Sequence, residues 1–157
     1  MKTCVLVLDN IRSVENTGSI FRTAECLGVS KIYLIGTTPT PLDRFDRKRS
    51  DFAKVALGAE EMVEWEYGQN IQEVIEELKE QEFKIFALEQ DPRAQKIEAI
   101  SQQLEPFALI VGNEVEGVSR VALDMADEIV EIKMKGQKES LNVSVATGIA
   151  LYSLLSN

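Results

Sequence analysis

No histidine occurs among the 157 residues, and cysteine appears only as Cys4 and Cys26. These absences remove zinc sites built on Cys and His, the Ser-His-Asp and Cys-His nucleophile systems, and any imidazole general base. Phosphate-cradling glycine loops are missing too. GNEVEG has the glycines of neither a dinucleotide fingerprint nor a P-loop, and no Lys-Ser/Thr pair follows it. Positive charge is in short supply: 17 Lys and Arg against 26 Asp and Glu give a net charge of -9. That balance argues against a generic nucleic-acid binder, whose affinity comes from neutralising phosphates, but leaves room for a local basic site. From Leu141 to the C-terminus there is no charged residue at all, in a chain that is 27% charged.

What is present must therefore work through Arg, Lys, carboxylates, hydroxyls and amides, and no metal is expected. The length and the 45% hydrophobic content fit one folded domain over residues 1–157 with a single sizeable core. The N-terminus enters an apolar strand (TCVLVLD) with no leader pattern, so a cytoplasmic protein is expected. The uncharged tail could suggest a membrane span, which needs roughly 20 apolar residues. Asn142, Ser144, Thr147, Gly148, Ser153 and Ser156 interrupt it, so no membrane is expected. A helix without a charged face should instead be buried on most sides. Ser144 with Gly148, and Ala146 with Ala150, lie at i, i+4 and would let another backbone approach, within the fold or across a dimer.

Along the chain, short continuous apolar runs alternate with helical patterns. Strands are expected at 3–8, 31–35, 62–66, 84–88 and 107–111, and a last one carries Ile129, Ile132 and Met134. Asn16 is positioned to cap a helix closed by Gly28, Asn70 to cap the amphipathic IQEVIEELKEQ, and Ser140 or Asn142 to cap the terminal helix. A short helical or irregular connector is expected at 97–104, and a short helix in VSRVALDMA. The result is an α/β fold with a mainly parallel sheet and helices on both faces. The segment GTTPTPLDRFDRKRSDFAK gathers Arg44, Arg47, Lys48, Arg49 and Lys54, as a solvated loop or as a flap contacting phosphates.

In such a sheet the ligand crevice lies at the carboxyl ends of the strands. The loops there are DNIRSVEN, LEQD, GNEVEG and MKGQKESLN, and they collect Asn16, Arg22, Glu114, Ser140 and Asn142. Each residue alone has a plainer reading: a helix cap for Asn16, Ser140 and Asn142, an i+3 pair with Glu25 for Arg22, a surface carboxylate for Glu114. Residue pattern alone leaves the purpose of this polar site open.

Three stretches resemble, in order, the motifs of the SpoU family of RNA ribose 2′-O-methyltransferases in the SPOUT superfamily: DNIRSVENTGSIFRTAE, ALIVGNEVEGVS and EIVEIKMKGQKESLNVSVATGIALY. The resemblance covers essentially the whole chain. It implies a C-terminal deep trefoil knot, which periodicity could not suggest because true knots are nearly absent from proteins. It also implies a homodimer, and S-adenosylmethionine as cofactor, held mostly by backbone groups in a pocket lined by Leu88, Gly112, Ile132, Ser140 and Leu141. Its catalytic pattern falls on Asn16, Arg22, Glu114, Ser140 and Asn142.

A guanidinium is a poor base near neutrality. Arg22 is therefore expected to bind an RNA phosphate and lower the pKa of the ribose hydroxyl, with Asn16 fixing Arg22 and Glu114, Ser140 and Asn142 ordering the site. Arg12, Arg22, Arg44, Arg47, Lys48, Arg49 and Lys54 are the expected RNA contacts. Lys133 stands where the third motif usually has proline. The chain resembles the family's catalytic domain without added RNA-binding domains, which points to tRNA as substrate. The alternatives are an rRNA substrate, or a catalytically weak dimeric RNA-binding protein of the same fold.

Overall fold

A computed structural model describes residues 2–100 and 106–156. The strands are β1 (Cys4–Asp9), β2 (Lys31–Ile35), β3 (Glu64–Gly68), β4 (Lys84–Leu88), β5 (Gln95–Lys96), β6 (Phe107–Gly112) and β7 (Glu128–Glu131). The helices are α1 (Val14–Cys26), α2 (Ser50–Ala56), α3 (Ile71–Glu80), α4 (Arg120–Met125) and α5 (Val143–Leu155), with single 3-10 turns at Ala59–Glu61 and Ile97–Ala99. The strands form one sheet in the order β3-β2-β1-β6-β4-β7-β5, and every pairing is parallel.

The two central strands are apolar without interruption because both faces of the sheet are covered. Cys4, Leu6 and Leu8 of β1 join Ile20, Phe21 and Ala24 of α1, Phe52 of α2 and Ala150, Leu151 and Leu154 of α5 on one face. Val5 and Val7 join Ile71, Ile75 and Leu78 of α3 and Ala122 of α4 on the other. Phe21 meets Phe52 edge-on at 5.1 Å between centroids and locks α1 to α2.

Several local expectations shift. Ser13, not Asn16, caps α1: its Oγ accepts the Asn16 N–H at 3.1 Å, and its extended backbone turns the chain into the helix one turn earlier. The Asn16 side chain is thereby released for tertiary bonding. Gly28, at φ 77°, closes the helix as expected, with the Val29 N–H donating to the Ala24 carbonyl at 2.9 Å. Residues 50–54, expected as the end of the basic loop, form α2 together with Val55 and Ala56, and β3 begins at Glu64, two residues later than expected, after a 3-10 turn that leaves Met62 exposed. β7 stops at Glu131, before Ile132 and Met134, and buries the adjacent residues Ile129 and Val130 on opposite faces. The connector at 97–104 begins as a 3-10 turn, and its residues 101–104 lie outside the described ones.

α5 is capped by Asn142 and buries Thr147, Ala150, Leu151 and Leu154. It is not buried on most sides: Val145, Ile149 and Tyr152 stay exposed along one stripe. Close backbone approach falls elsewhere as well. A Cβ on Gly18 would lie 2.9 Å from the Val55 Cβ, so glycine is what lets α1 reach α2, whereas at Gly148 the nearest atom would be Thr23 Cγ2 at an ordinary 3.5 Å. No helix among the described residues is long and apolar enough to cross a membrane.

Candidate functional site

Parallel strands put all their carboxyl ends on one edge, and there the loops after β1, β4, β6 and β7 surround an open cleft of about 760 Å³. Side chains from one loop bond the backbone of another throughout this edge. Asp9, 1% exposed at the end of β1, accepts the Ser119 N–H at 2.8 Å and the Asn10 Nδ2 at 3.0 Å. Asn113 donates through Nδ2 to the Asn10 carbonyl at 2.8 Å, while its Oδ1 accepts the N–H groups of Val115 and Glu116 and shapes the turn after β6. Glu89 Oε2 accepts the Val118 N–H at 2.9 Å.

Two glycines make this packing possible. A Cβ on Gly112 would lie 2.2 Å from the Gly117 carbonyl carbon and the Val118 nitrogen, and Gly117, at φ 73°, would drive a Cβ to 2.2 Å from Glu89 Oε2.

A second chain of bonds joins the three motif regions. The Glu114 carboxylate accepts from the N–H groups of Arg12 at 3.0 Å and Ser13 at 2.9 Å and from Asn16 Nδ2 at 3.2 Å. Asn16 Oδ1 in turn accepts from Asn142 Nδ2 at 3.1 Å, and Asn142 Oδ1 accepts the Ser144 N–H at 2.9 Å at the start of α5. Burial pushes the Glu114 carboxyl up. The backbone N–H groups of Arg12, Glu114 and Ser13 and the Asn16 amide outweigh it and hold the group below its ordinary value. Glu114 is thus an ionised, committed acceptor that orients loops and is poorly suited to carry a proton.

Asn16, Glu114, Ser140 and Asn142 all line the cleft, together with Leu88, Gly112, Ile132 and Leu141. Ser140 is exposed, and its hydroxyl makes no hydrogen bond among the described residues. Arg22 is not among the lining residues. It borders a separate depression of about 570 Å³ with Ser19, Thr23, Val55, Gly148 and Tyr152. Six residues place it about 9 Å further along α1 than Asn16, which bonds Glu114 and Asn142 and not Arg22. The expectation that Asn16 fixes Arg22 is therefore corrected.

Of the basic flap, Arg47 pairs with Asp43 at 3.0 Å, Lys48 with Glu61, and Arg49 with Asp51 at 2.8 Å. Arg12, Arg44 and Lys54 have no carboxylate partner within 4 Å among the described residues. It is the backbone N–H of Arg12, not its guanidinium, that bonds Glu114. The described residues hold no group of three or more metal-ligating side chains. Asp9, Asn10, Glu89, Asn113 and Gly117 also belong to this site. Their only signal in the sequence is membership of the loops DNIRSVEN, LEQD and GNEVEG.

A parallel α/β sheet with an open cleft between the loops at its carboxyl edge, and no glycine-rich phosphate cradle beside it, is the class this geometry defines. Within that class, the SpoU rRNA Methylase family matches residues 3–152, and the chain belongs to that family. It is 34% identical over 148 residues to the 23S rRNA (guanosine-2′-O-)-methyltransferase RlmB of Photorhabdus laumondii, covering 94% of this chain and 57% of that protein. The chain thus spans about six-tenths of the length of the curated relatives it matches. The A. aeolicus TrmH/SpoU tRNA modifying enzyme superposes with a TM-score of 0.85 at 29% identity, over 99% of this chain and 75% of that one. The SpoU methyltransferase AviRb of Streptomyces viridochromogenes, in complex with AdoMet, shares the fold with a TM-score of 0.85 at 21% identity, over 99% and 60% of the two chains.

Proposed function

We propose that this chain is the catalytic domain of an S-adenosylmethionine-dependent RNA ribose 2′-O-methyltransferase acting in the cytoplasm. The observation that carries the reading is the lining of the cleft. Glu89, Asp91, Glu114, Glu116 and Glu131 border it, and no Lys or Arg among the described residues does. Such a lining suits a ligand with a sulfonium and an ammonium centre and repels a pyrophosphate. Leu88, Ile132 and Leu141 give apolar surface for an adenine ring, the tight turn at Gly112 and Gly117 brings backbone close, and the volume falls in the range of small-ligand sites.

S-adenosylmethionine, when bound, supplies an electrophilic methyl group to a ribose 2′ oxygen. The chain's own residues supply alignment, which is a large part of the barrier reduction in an in-line transfer. Glu114 and Asn16 hold the loop after β1 in place, and Asn142 ties it to the start of α5. Arg22 binds an RNA phosphate and stabilises charge developing on the ribose oxygen. Because Arg22 lies in the depression beside the exposed stripe of α5, its route to a cleft is through a homodimer packed on that stripe, so that it serves the partner's site. The C-terminal part of the chain threads through the deep knot implied by the family resemblance. The placement of β7 between β4 and the earlier β5 supports that threading.

Ribosomal RNA is supported at least as well as tRNA: the Photorhabdus relative is named for 23S rRNA and the A. aeolicus structure for tRNA. The expectation of tRNA, which rested on the resemblance to a catalytic domain without added RNA-binding domains, gives way accordingly. Mapping 2′-O-methylated nucleotides in total RNA with and without the protein tests reaction and substrate together. A site that disappears without the protein and returns with purified protein, RNA and S-adenosylmethionine is the expected result. Purified protein that transfers no methyl group to any RNA fraction would end this reading. Mixing Arg22→Ala with Asn142→Ala chains should restore part of the activity that each lacks alone. No restoration, with mixed dimers present, would remove the action across subunits.

A further inference from the structure

Phe45 is an aromatic side chain used by neither the core nor the cleft. It is 61% exposed, while Phe21, Phe52, Phe86 and Phe107 are buried. The loop that carries it is closed by its own hydrogen bonds. Asp43 Oδ1 accepts the N–H groups of Phe45 at 2.8 Å and Arg47 at 3.0 Å, and the Asp43 N–H donates to the Arg47 carbonyl at 2.8 Å. Asp46 adopts φ 58° to complete the turn, and Leu42 pairs with Lys48 across its base. Such a turn presents the ring to solvent by construction, not by fraying.

Two cations flank that ring, unequally held. The guanidinium carbons of Arg44 and Arg47 each lie 4.9 Å from its centroid. Arg47 is pinned through Nε to Asp43 Oδ2 at 3.0 Å, whereas Arg44 has no carboxylate partner within 4 Å among the described residues. Arg44 can leave the ring without breaking an ion pair. The root of the loop is fixed to the site edge: the Thr37 N–H donates to Asn10 Oδ1 at 3.0 Å, and the Ile11 N–H to Thr38 Oγ1 at 3.1 Å. The tip thus rises from the edge of the sheet that holds the cleft, on a support shared with the loop that Glu114 holds.

We propose that Phe45 is a stacking platform for an unpaired base of the RNA substrate, with Arg44 moving from the ring to a neighbouring phosphate and Arg47 staying against the ring. The inference rests on the reading of this chain as an RNA-directed enzyme. Every base has a π-face, so the platform selects unpaired over paired nucleotides and not one base over another. Paired bases in an A-form helix are already stacked and present mainly shape and 2′-hydroxyls.

The test is fluorescence anisotropy with the full chain, without cofactor, on a short oligouridine RNA and on a blunt RNA duplex of equal length. Phe45→Ala should weaken oligouridine binding between about 5-fold and 150-fold and leave duplex binding unchanged, and Phe45→Trp should retain it. Arg44→Ala should lower the slope of log affinity against log salt by about one, a slope that Phe45→Ala leaves alone. Equal oligouridine affinity for Phe45→Ala and the unsubstituted chain overturns the proposal. So does an equal loss on both RNAs, or a Phe45→Ala chain that sediments differently, which would make the ring a contact between copies. Failure of the unsubstituted chain to prefer oligouridine over duplex also overturns it. The methyltransferase reading is judged separately, by methyl transfer to folded RNA.

Discussion

The cleft wall of residues 111–118, braced by residues 9–16, and the wall that carries Ile132, Met134, Ser140 and Leu141 are held by different means. In the first, Asp9, Asn10, Asn113 and Glu114 each bond the backbone of a segment distant in sequence or receive a bond from one, and Glu89 reaches across from the loop after β4. In the second, the tie to another loop is the bond from Gln90 Nε2 to the Glu139 carbonyl at 2.9 Å. Residues 135–142 are exposed throughout. The first wall is braced by side chains from several loops, whereas the second, which carries Ser140 and Leu141, has few such ties among the described residues. A rigid wall that positions and a loose wall that closes are the arrangement a cleft needs if its ligand must enter and leave.

Glycine substitution should break the contrast most strongly. Gly112→Ala forces a Cβ into backbone at 2.2 Å, while nothing lies within 4 Å of a Cβ on Gly136 in the loose wall. Gly112→Ala should cost about 3 kcal/mol and lower Tm by roughly 6–12 °C, and Gly136→Ala should stay within about 0.5 kcal/mol. Thermal unfolding of the two variants checks this, and equal shifts would erase the distinction between the walls.

Glu114→Gln removes a charged acceptor and should cost about 1.5 kcal/mol, whereas Ser140→Ala should leave unfolding unchanged. The Glu114 carboxyl is held below its ordinary 4.5 in the folded chain. The stability it contributes is fully present above that value and is lost as pH falls through the lower folded one. Urea titrations across this range should show an acid-side loss that is shallower in Glu114→Gln, and identical limbs would dissociate the carboxylate from the clamp.

Asn142 stands where the walls meet, and two replacements separate its roles. Asn142→Ala loses the cap and should cost about 1 kcal/mol. Asn142→Asp keeps an acceptor favoured at a helix N-terminus but loses the donor to Asn16, so it should unfold almost as the unsubstituted chain does while losing methyl transfer. Asn142→Asp with full activity would make the bond to Asn16 dispensable.

The smallest effect should be a change in protection alone. Demethylated S-adenosylmethionine should slow tryptic cleavage at Lys133, Lys135 and Lys138 and leave cleavage at Arg12 unchanged. Equal protection of both segments would mean that the walls order together.

The central strands were legible because continuous apolar runs have one stable place in an α/β protein, between two covered faces. The cap at Asn70 and the stop at Gly28 were legible because each is a bond within one turn of helix, and the same reasoning narrowed the cap of α5 to Ser140 or Asn142, of which the structure uses Asn142. Asn16 was misread as a cap because Ser13, three residues earlier, offers the same chemistry. The motif resemblance groups Asn16, Glu114 and Asn142 at one site, and their hydrogen bonds join them there. It also grouped Arg22 with them, although their distance along α1 separates it from their cleft within one chain.

Sequence by itself determined the apolar runs that form β1, β2, β4 and β6, the ends of α1, α3 and α5 to within a turn, and that this chain has no imidazole to offer. Tertiary structure alone decided the strand order and the clamps of Asp9, Glu89 and Asn113. It also decided that the uncharged α5 keeps one apolar stripe exposed. Local patterns report the preferences of neighbours along the chain, but these features depend on pairings between residues as far apart as Asp9 and Ser119. Only the packed sheet brings such partners within reach of a hydrogen bond.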